Sequence, residues 1–92
     1  MKLARFLSAA PEVLKFLGDV IEEYRNSVAD HGMYNSAHEG YAVTLEELDE
    51  LWDEVRKKRK NRSLSAMRGE CVQIASCAMK FAIGICGNKE SK

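Results

Sequence analysis

Apolar residues recur at spacings of three and four along most of this chain, and the recurrence breaks clearly at only two places. Such a period belongs to helices with one buried face. Little else in the sequence competes with it. One proline and six glycines leave few turns, whereas an all-β fold needs a turn signal every ~8–12 residues. The same scarcity of proline excludes a polyproline or low-complexity chain. At 92 residues the length allows one modest domain. The expectation is a single all-α domain over 1–92.

Three helices are predicted. The first covers about 11–30, with Pro11 at the first position, where its missing N–H costs nothing. Val13, Leu14, Leu17, Val20, Ile21, Tyr24 and Val28 form its apolar face, and His31-Gly32 ends it with a glycine cap. The second opens at Ser36, whose spacing to Glu39 makes a capping box. It carries Tyr41, Leu45, Leu48, Trp52 and Val55 at spacings of 4, 3, 4 and 3, an unbroken apolar seam, and fades into the basic run 56–62. The third starts near Ser63 or Ser65 and ends at Gly87. Met67, Cys71, Ile74, Ala75, Ala78, Ala82 and Ile85 line its face, and Phe81 widens it. The small residues Ala75, Ser76, Cys77 and Ala78 let another backbone approach closely. Residues 1–10 read as an arm or a short extra helix, and 88–92 as a frayed tail.

Three helices this short do not easily bury so much apolar surface alone. A homo-oligomer is expected, a homodimer or homotetramer, with the three-helix protomer completing a four-helix-bundle core.

Charge narrows the function classes. Fourteen Lys and Arg balance fourteen Asp and Glu, which excludes a strongly basic nucleic-acid module or an acidic tail as a description of the whole chain. The run 56–62 holds six cations in seven residues. It reads as a solvated helix end favoured by the macrodipole, or as a patch that draws in polyanions. No RRM, KH or helix-turn-helix signature accompanies it, so nucleic acid is not the expected partner. The three cysteines, Cys71, Cys77 and Cys86, match no zinc spacing and are odd in number. With no secretory leader pattern at the start, they point to a reducing cytoplasm. The apolar stretch 71–87 is broken by Lys80 and is too short for a membrane span of ~20 residues.

Acidic side chains carry the chemistry. Helix 2 holds Glu46, Glu47, Asp49, Glu50, Asp53 and Glu54, and helix 3 holds Glu70 with Gln73 three residues on. Residues i and i+3 lie ~60° apart on a helix wheel, so Glu47 with Glu50, and Glu70 with Gln73, each project from one face. Glu47 flanks the seam and Glu70 lies at the margin of the helix 3 face. On helix 2 alone such a run reads as a solvated surface. If helices 2 and 3 pack antiparallel, three carboxylates and an amide converge. Hard oxygen donors at that density suit Mg²⁺ or Mn²⁺. His38-Glu39 does not open a zincin motif, because the second histidine would fall on Ala42. Trp52 reads as a core or interface residue, and Tyr34 and Tyr41 flank the start of helix 2.

The order of these residues is familiar. His38-Glu39-Gly40-Tyr41-Ala42-Val43, then Glu46-Glu47-Leu48-Asp49-Glu50-Leu51-Trp52, then Glu70-Cys71-Val72-Gln73-Ile74-Ala75 resembles the MazG-like all-α nucleoside triphosphate pyrophosphohydrolases, with their EExxE and ExxD halves. The resemblance covers about 34–81. It implies Mg²⁺-dependent cleavage of a nucleoside triphosphate between the α and β phosphates, giving a monophosphate and pyrophosphate. It also implies that Glu47, Glu50 and Glu70 hold metal and that Glu46 either supports those ligands from behind or helps orient the attacking water. The family's last Asp is Gln73 here, an amide that can still coordinate a hard cation but adds no charge. A non-catalytic member of the same fold, binding nucleotides or a partner, is the second reading. A small helical protein touching nucleic acid through 56–62 is the third.

Overall fold

The computed structural model describes residues 10–87, so the expectations for residues 1–9 and 88–92 lie outside the described residues. It is all-helical, with three α-helices and no strand among those residues: α1 (Pro11–His31), α2 (Ala37–Val55) and α3 (Leu64–Gly84), with a short 3₁₀ turn at Arg59–Asn61.

The ends follow the local chemistry. Pro11 begins α1, and Gly32 closes it at φ 74°, its N–H donating to the Val28 carbonyl at 2.8 Å. A left-handed φ of this kind costs glycine nothing. The Ser36 hydroxyl accepts from Glu39 N–H at 3.1 Å, as the capping box requires. Glu39 reaches back one residue further than that motif specifies: its Oε1 accepts from Asn35 N–H at 2.6 Å. Ser63, not Ser65, caps α3, accepting from Ala66 N–H at 3.1 Å. The third helix stops at Gly84, three residues short of the expected Gly87.

Helix α3 lies between the other two and packs on both, while α1 and α2 scarcely touch. Three registers fix α2 antiparallel to α3. Gly40 meets the Phe81 ring, Glu47 and Glu50 meet Glu70, and Glu54 meets Ser63. Gly40 must be glycine at this crossing, because a Cβ there would sit 2.6 Å from Phe81 Cδ2 and 2.7 Å from Tyr34 Cδ2. Helix α1 runs parallel to α3. Arg68 pairs with Asp19 at 2.9 Å and stacks over Phe16, and one end further on Lys80 donates to Ser27 Oγ.

Among the described residues the core is small and overlaps the predicted apolar faces only in part: Val20 of the α1 face is buried, whereas Val13 and Ile21 of that face are 47% and 49% exposed. Val20, Val72 and Cys77 are its buried apolar residues, joined by buried Ser76, Lys80 and Glu54. On α3, Cys71, Ala78 and Ala82 of the expected face are exposed, and its other members are only partly covered. On α2 the expected seam faces solvent: Tyr41, Leu45, Leu48 and Trp52 are 67%, 39%, 49% and 59% exposed. Trp52 is therefore not a core residue of the protomer. The helix packs instead through Gly40, Val43, Thr44, Glu47, Leu51 and Glu54, which are buried or half-buried. No helix of the described residues is long and apolar enough to cross a membrane.

Candidate functional site

The inner face of α2 is a heptad stripe of unusual content. Gly40, Thr44, Glu47, Leu51 and Glu54 repeat at spacings of 4, 3, 4 and 3, one residue out of step with the apolar seam. Two of these five residues are acids, and α3 passes close to both. Antiparallel packing brings Glu70 up to Glu47 and Glu50, and one carboxylate oxygen of each lies within 4.8 Å of the other two. Glu47 and Glu70 are half-buried and Glu50 is exposed.

No cation answers this cluster among the described residues, whose ion pairs all lie elsewhere. Burial pushes the Glu47 carboxyl up, and the Glu50 and Glu70 carboxylates push it further, to about 8. Both causes act in one direction, since desolvation and like charge each penalise the ionised form. Glu70 Oε1 is buried and has no hydrogen-bond partner. A buried acceptor without a donor is costly, and a cation would satisfy it.

The donor set fits a hard divalent cation. It consists of carboxylate oxygens, with no thiolate or imidazole in the group. Mg²⁺ holds its oxygens at ~2.0–2.1 Å, so ligands opposite one another stand about 4.2 Å apart. Of three ligands at most one pair is opposite and the others stand about 3 Å apart, so a spread of up to 4.8 Å must tighten to hold Mg²⁺.

The remaining expected site residues are placed differently. Glu46 is exposed and shares an outward hollow of about 280 Å³ with Glu47, Asp49 and Glu50, outside the three-carboxylate cluster. Gln73 is half-buried. It lines a cavity of about 220 Å³ together with Glu47, Val43, Tyr34 and Cys77. Glu47 thus borders both spaces. The α1 side of that cavity adds Glu23, Ser27 and Asp30, which the sequence reading missed. Their spacings of 4 and 3 in register with Val20 were a visible signal, although nothing in the sequence says which helix that stripe meets.

Half of the basic run 56–62 is tied down locally. Arg56 pairs with Asp53 at 3.3 Å, Lys57 with Glu54 at 2.9 Å, and Arg62 Nε donates to the Val55 carbonyl at 2.7 Å, closing the end of α2. Lys58, Arg59 and Lys60 are exposed.

The chain matches no family model, no curated protein and no solved structure.

Proposed function

We propose that this protein is a divalent-metal-dependent nucleotide pyrophosphohydrolase that works as a homo-oligomer. One observation carries the reading: Glu47, Glu50 and Glu70, from two helices, bring carboxylate oxygens within 4.8 Å of one another, with no ion pair to neutralise them among the described residues. The likeness of the EExxE-type and ExxD-type halves to the MazG-like enzymes supplies the reaction class.

In this reading Glu47, Glu50 and Glu70 hold Mg²⁺, or Mn²⁺. When bound, the metal neutralises phosphate charge and positions the triphosphate for in-line attack. Glu46, on the solvent side of the same turn, orients the water that attacks the α phosphorus. The bond to the α–β bridging oxygen breaks, leaving a nucleoside monophosphate and pyrophosphate. Gln73, which lines a cavity with Glu47, would offer an amide oxygen to the metal or the substrate. Because that amide brings no charge, the second reading is a nucleotide-binding protein of the same fold without turnover.

The test is a panel of ribo- and deoxyribonucleoside triphosphates with Mg²⁺ or Mn²⁺, assayed for pyrophosphate. Release from at least one substrate is expected. Folded protein that binds nucleotides calorimetrically but releases no pyrophosphate from any of them favours the second reading. Protein that neither binds nor turns over removes both.

The oligomer is supported by the outer face of α2. Aromatic side chains bury ~150–250 Å² each, and Tyr41 and Trp52 are more than half exposed on the face that also carries Leu45 and Leu48. Soluble monomers seldom leave such a row open. A second copy laid along it buries apolar surface on both sides and completes a four-helix core. Leu48→Lys places a charge mid-face, and light scattering is expected to show the assembly falling to monomers. An unchanged mass would place the interface elsewhere.

A further inference from the structure

We propose a second site, an oxyanion pocket at the other end of the α1–α3 contact, with Lys80 as its anchor and a phosphate group, free or carried on a nucleotide, as its ligand. Lys80 is only 4% exposed, yet it takes part in none of the ion pairs of the described residues. Its ammonium donates to Ser27 Oγ at 2.5 Å and lies 5.0 Å from the centroid of the Tyr34 ring. A hydroxyl and a ring face satisfy part of an ammonium with three donors. Neither supplies the negative charge that a buried cation requires.

Lys80 also borders open space. Lys80 lines a cavity of about 240 Å³ with Ser27, His31, Tyr34, Asn35 and Glu39. At ~30 Å³ per water this is about eight waters' worth, room for a small anion with part of its hydration, and less than the ~300–1,000 Å³ typical of a drug-sized ligand pocket. Asn35 and Glu39 bring the first turn of α2 to the rim, so the positive end of a 19-residue helix borders the space. The one carboxylate there is already engaged. Glu39 Oε1 accepts from Asn35 N–H at 2.6 Å and Oε2 from Asn35 Nδ2 at 3.4 Å. Across Tyr34, Ser27, His31 and Val43 the space adjoins the cavity that reaches Glu47 and Gln73.

The site stands independently of the metal reading, so it is tested in EDTA. Thermal melts and NMR spectra with ¹⁵N-labelled lysine are recorded while inorganic phosphate is titrated against chloride at matched ionic strength. Phosphate is expected to raise the melting temperature and to move the Lys80 signal. Lys80→Met, which keeps the volume and removes the charge, is expected to melt no lower than wild type and to bind phosphate roughly tenfold or more weakly, as loss of a charge-assisted hydrogen bond implies. Lys58→Met, on the exposed run, keeps the response. If Lys80→Met does not fold, the wild-type Lys80 signal decides. A nucleoside monophosphate that binds more tightly than phosphate and also moves Tyr34 signals assigns the anion to a nucleotide. Equal affinity assigns it to free phosphate. A wild-type protein indifferent to phosphate, or Lys80→Met retaining the full response, overturns the proposal. Loss of pyrophosphatase activity in the panel above leaves it standing.

Discussion

Glu47 and Glu54 occupy the same face of α2, seven residues apart, and both meet α3, yet their surroundings are opposite. Glu54 is 9% exposed and fully answered: Oε1 accepts from Lys57 Nζ at 2.9 Å and Oε2 from Ser63 N–H at 2.6 Å. Lys57 foremost, then the Ser63 N–H, holds its carboxyl below the usual range. Ser63 also caps α3, so Glu54 ties the end of one helix to the start of the next. Glu47 meets Glu50 and Glu70 instead, and its carboxyl is pushed up to about 8. A buried acid with a cation and an N–H is a fastener. A part-buried acid facing two others finds no balancing cation among the described residues. Desolvation is common to both positions, so the neighbours decide which role results.

Charge-neutral substitution separates the two roles most sharply in turnover. Glu47→Gln and Glu70→Gln are each expected to lower kcat/KM by at least about a hundredfold, given that even residues merely supporting metal ligands cost ~10–100-fold. Glu54→Gln, one turn beyond Glu50 and engaged with Lys57 and Ser63 instead of the cluster, is expected to leave kcat/KM within a few-fold of wild type. Equal losses at Glu47 and Glu54 would mean that both are fasteners.

Stability without metal reverses the ranking. Glu54→Gln keeps the shape but gives up the ion pair with Lys57, so the melting temperature should fall by several degrees. Above pH 8, where Glu47 is ionised, Glu47→Gln removes one of three repelling carboxylates and should raise it or leave it unchanged. Opposite signs for the same chemical change in EDTA are the signature of the comparison. A fall for both would show that the Glu47 carboxylate has a partner in the fold.

The pH profile repeats the contrast at smaller amplitude. The folded-state pKa of Glu47, about 8, lies above the ordinary 4.5, so the folded chain binds the proton more tightly than the unfolded one. Its contribution is complete below pH 4.5 and is lost as the pH climbs through 8. Glu54 is shifted the other way. Its contribution is present above 4.5 and is lost as the pH falls below that value toward the lower folded-state pKa. Melts in EDTA should therefore decline on the alkaline side in wild type but not in Glu47→Gln. The acid-side decline should shrink in Glu54→Gln. Saturating Mg²⁺ should abolish the alkaline decline, because metal binds the deprotonated ligands. A slope that survives both Glu47→Gln and Mg²⁺ has its source in another group.

Helix positions were legible because caps and breakers act locally: Pro11, Gly32, Ser36 and Ser63 each do what their side chains dictate. The meeting of Glu47, Glu50 and Glu70 was legible, on the condition that α2 and α3 pack antiparallel, because i, i+3 geometry is rigid. The packed face of α2 was not. Two heptad stripes lie one residue apart on this helix, and hydropathy favours Tyr41, Leu45, Leu48 and Trp52. The protomer packs the other stripe because Gly40 alone admits the Phe81 and Tyr34 rings and because Glu54 clasps Ser63. Both reasons are tertiary. The same holds for Glu23, Asp30 and Lys80, whose significance depends on α1 running parallel to α3, a relation no local pattern encodes.

Gln73 gives the finest version of the comparison, since it stands in a cavity with Glu47 but carries no charge. Gln73→Asp adds a further carboxylate to a space already bordered by Glu23, Asp30 and Glu47. In EDTA the added repulsion should lower the melting temperature slightly. With Mg²⁺ the sign should reverse, because another hard oxygen donor with charge raises affinity for a hard cation, by roughly tenfold if the side chain reaches the ion or its waters. The two melts and a calorimetric Mg²⁺ titration read both signs on one variant. A lower melting temperature in EDTA together with a weaker Mg²⁺ affinity would place the role of Gln73 in its amide, as a donor to something other than the metal.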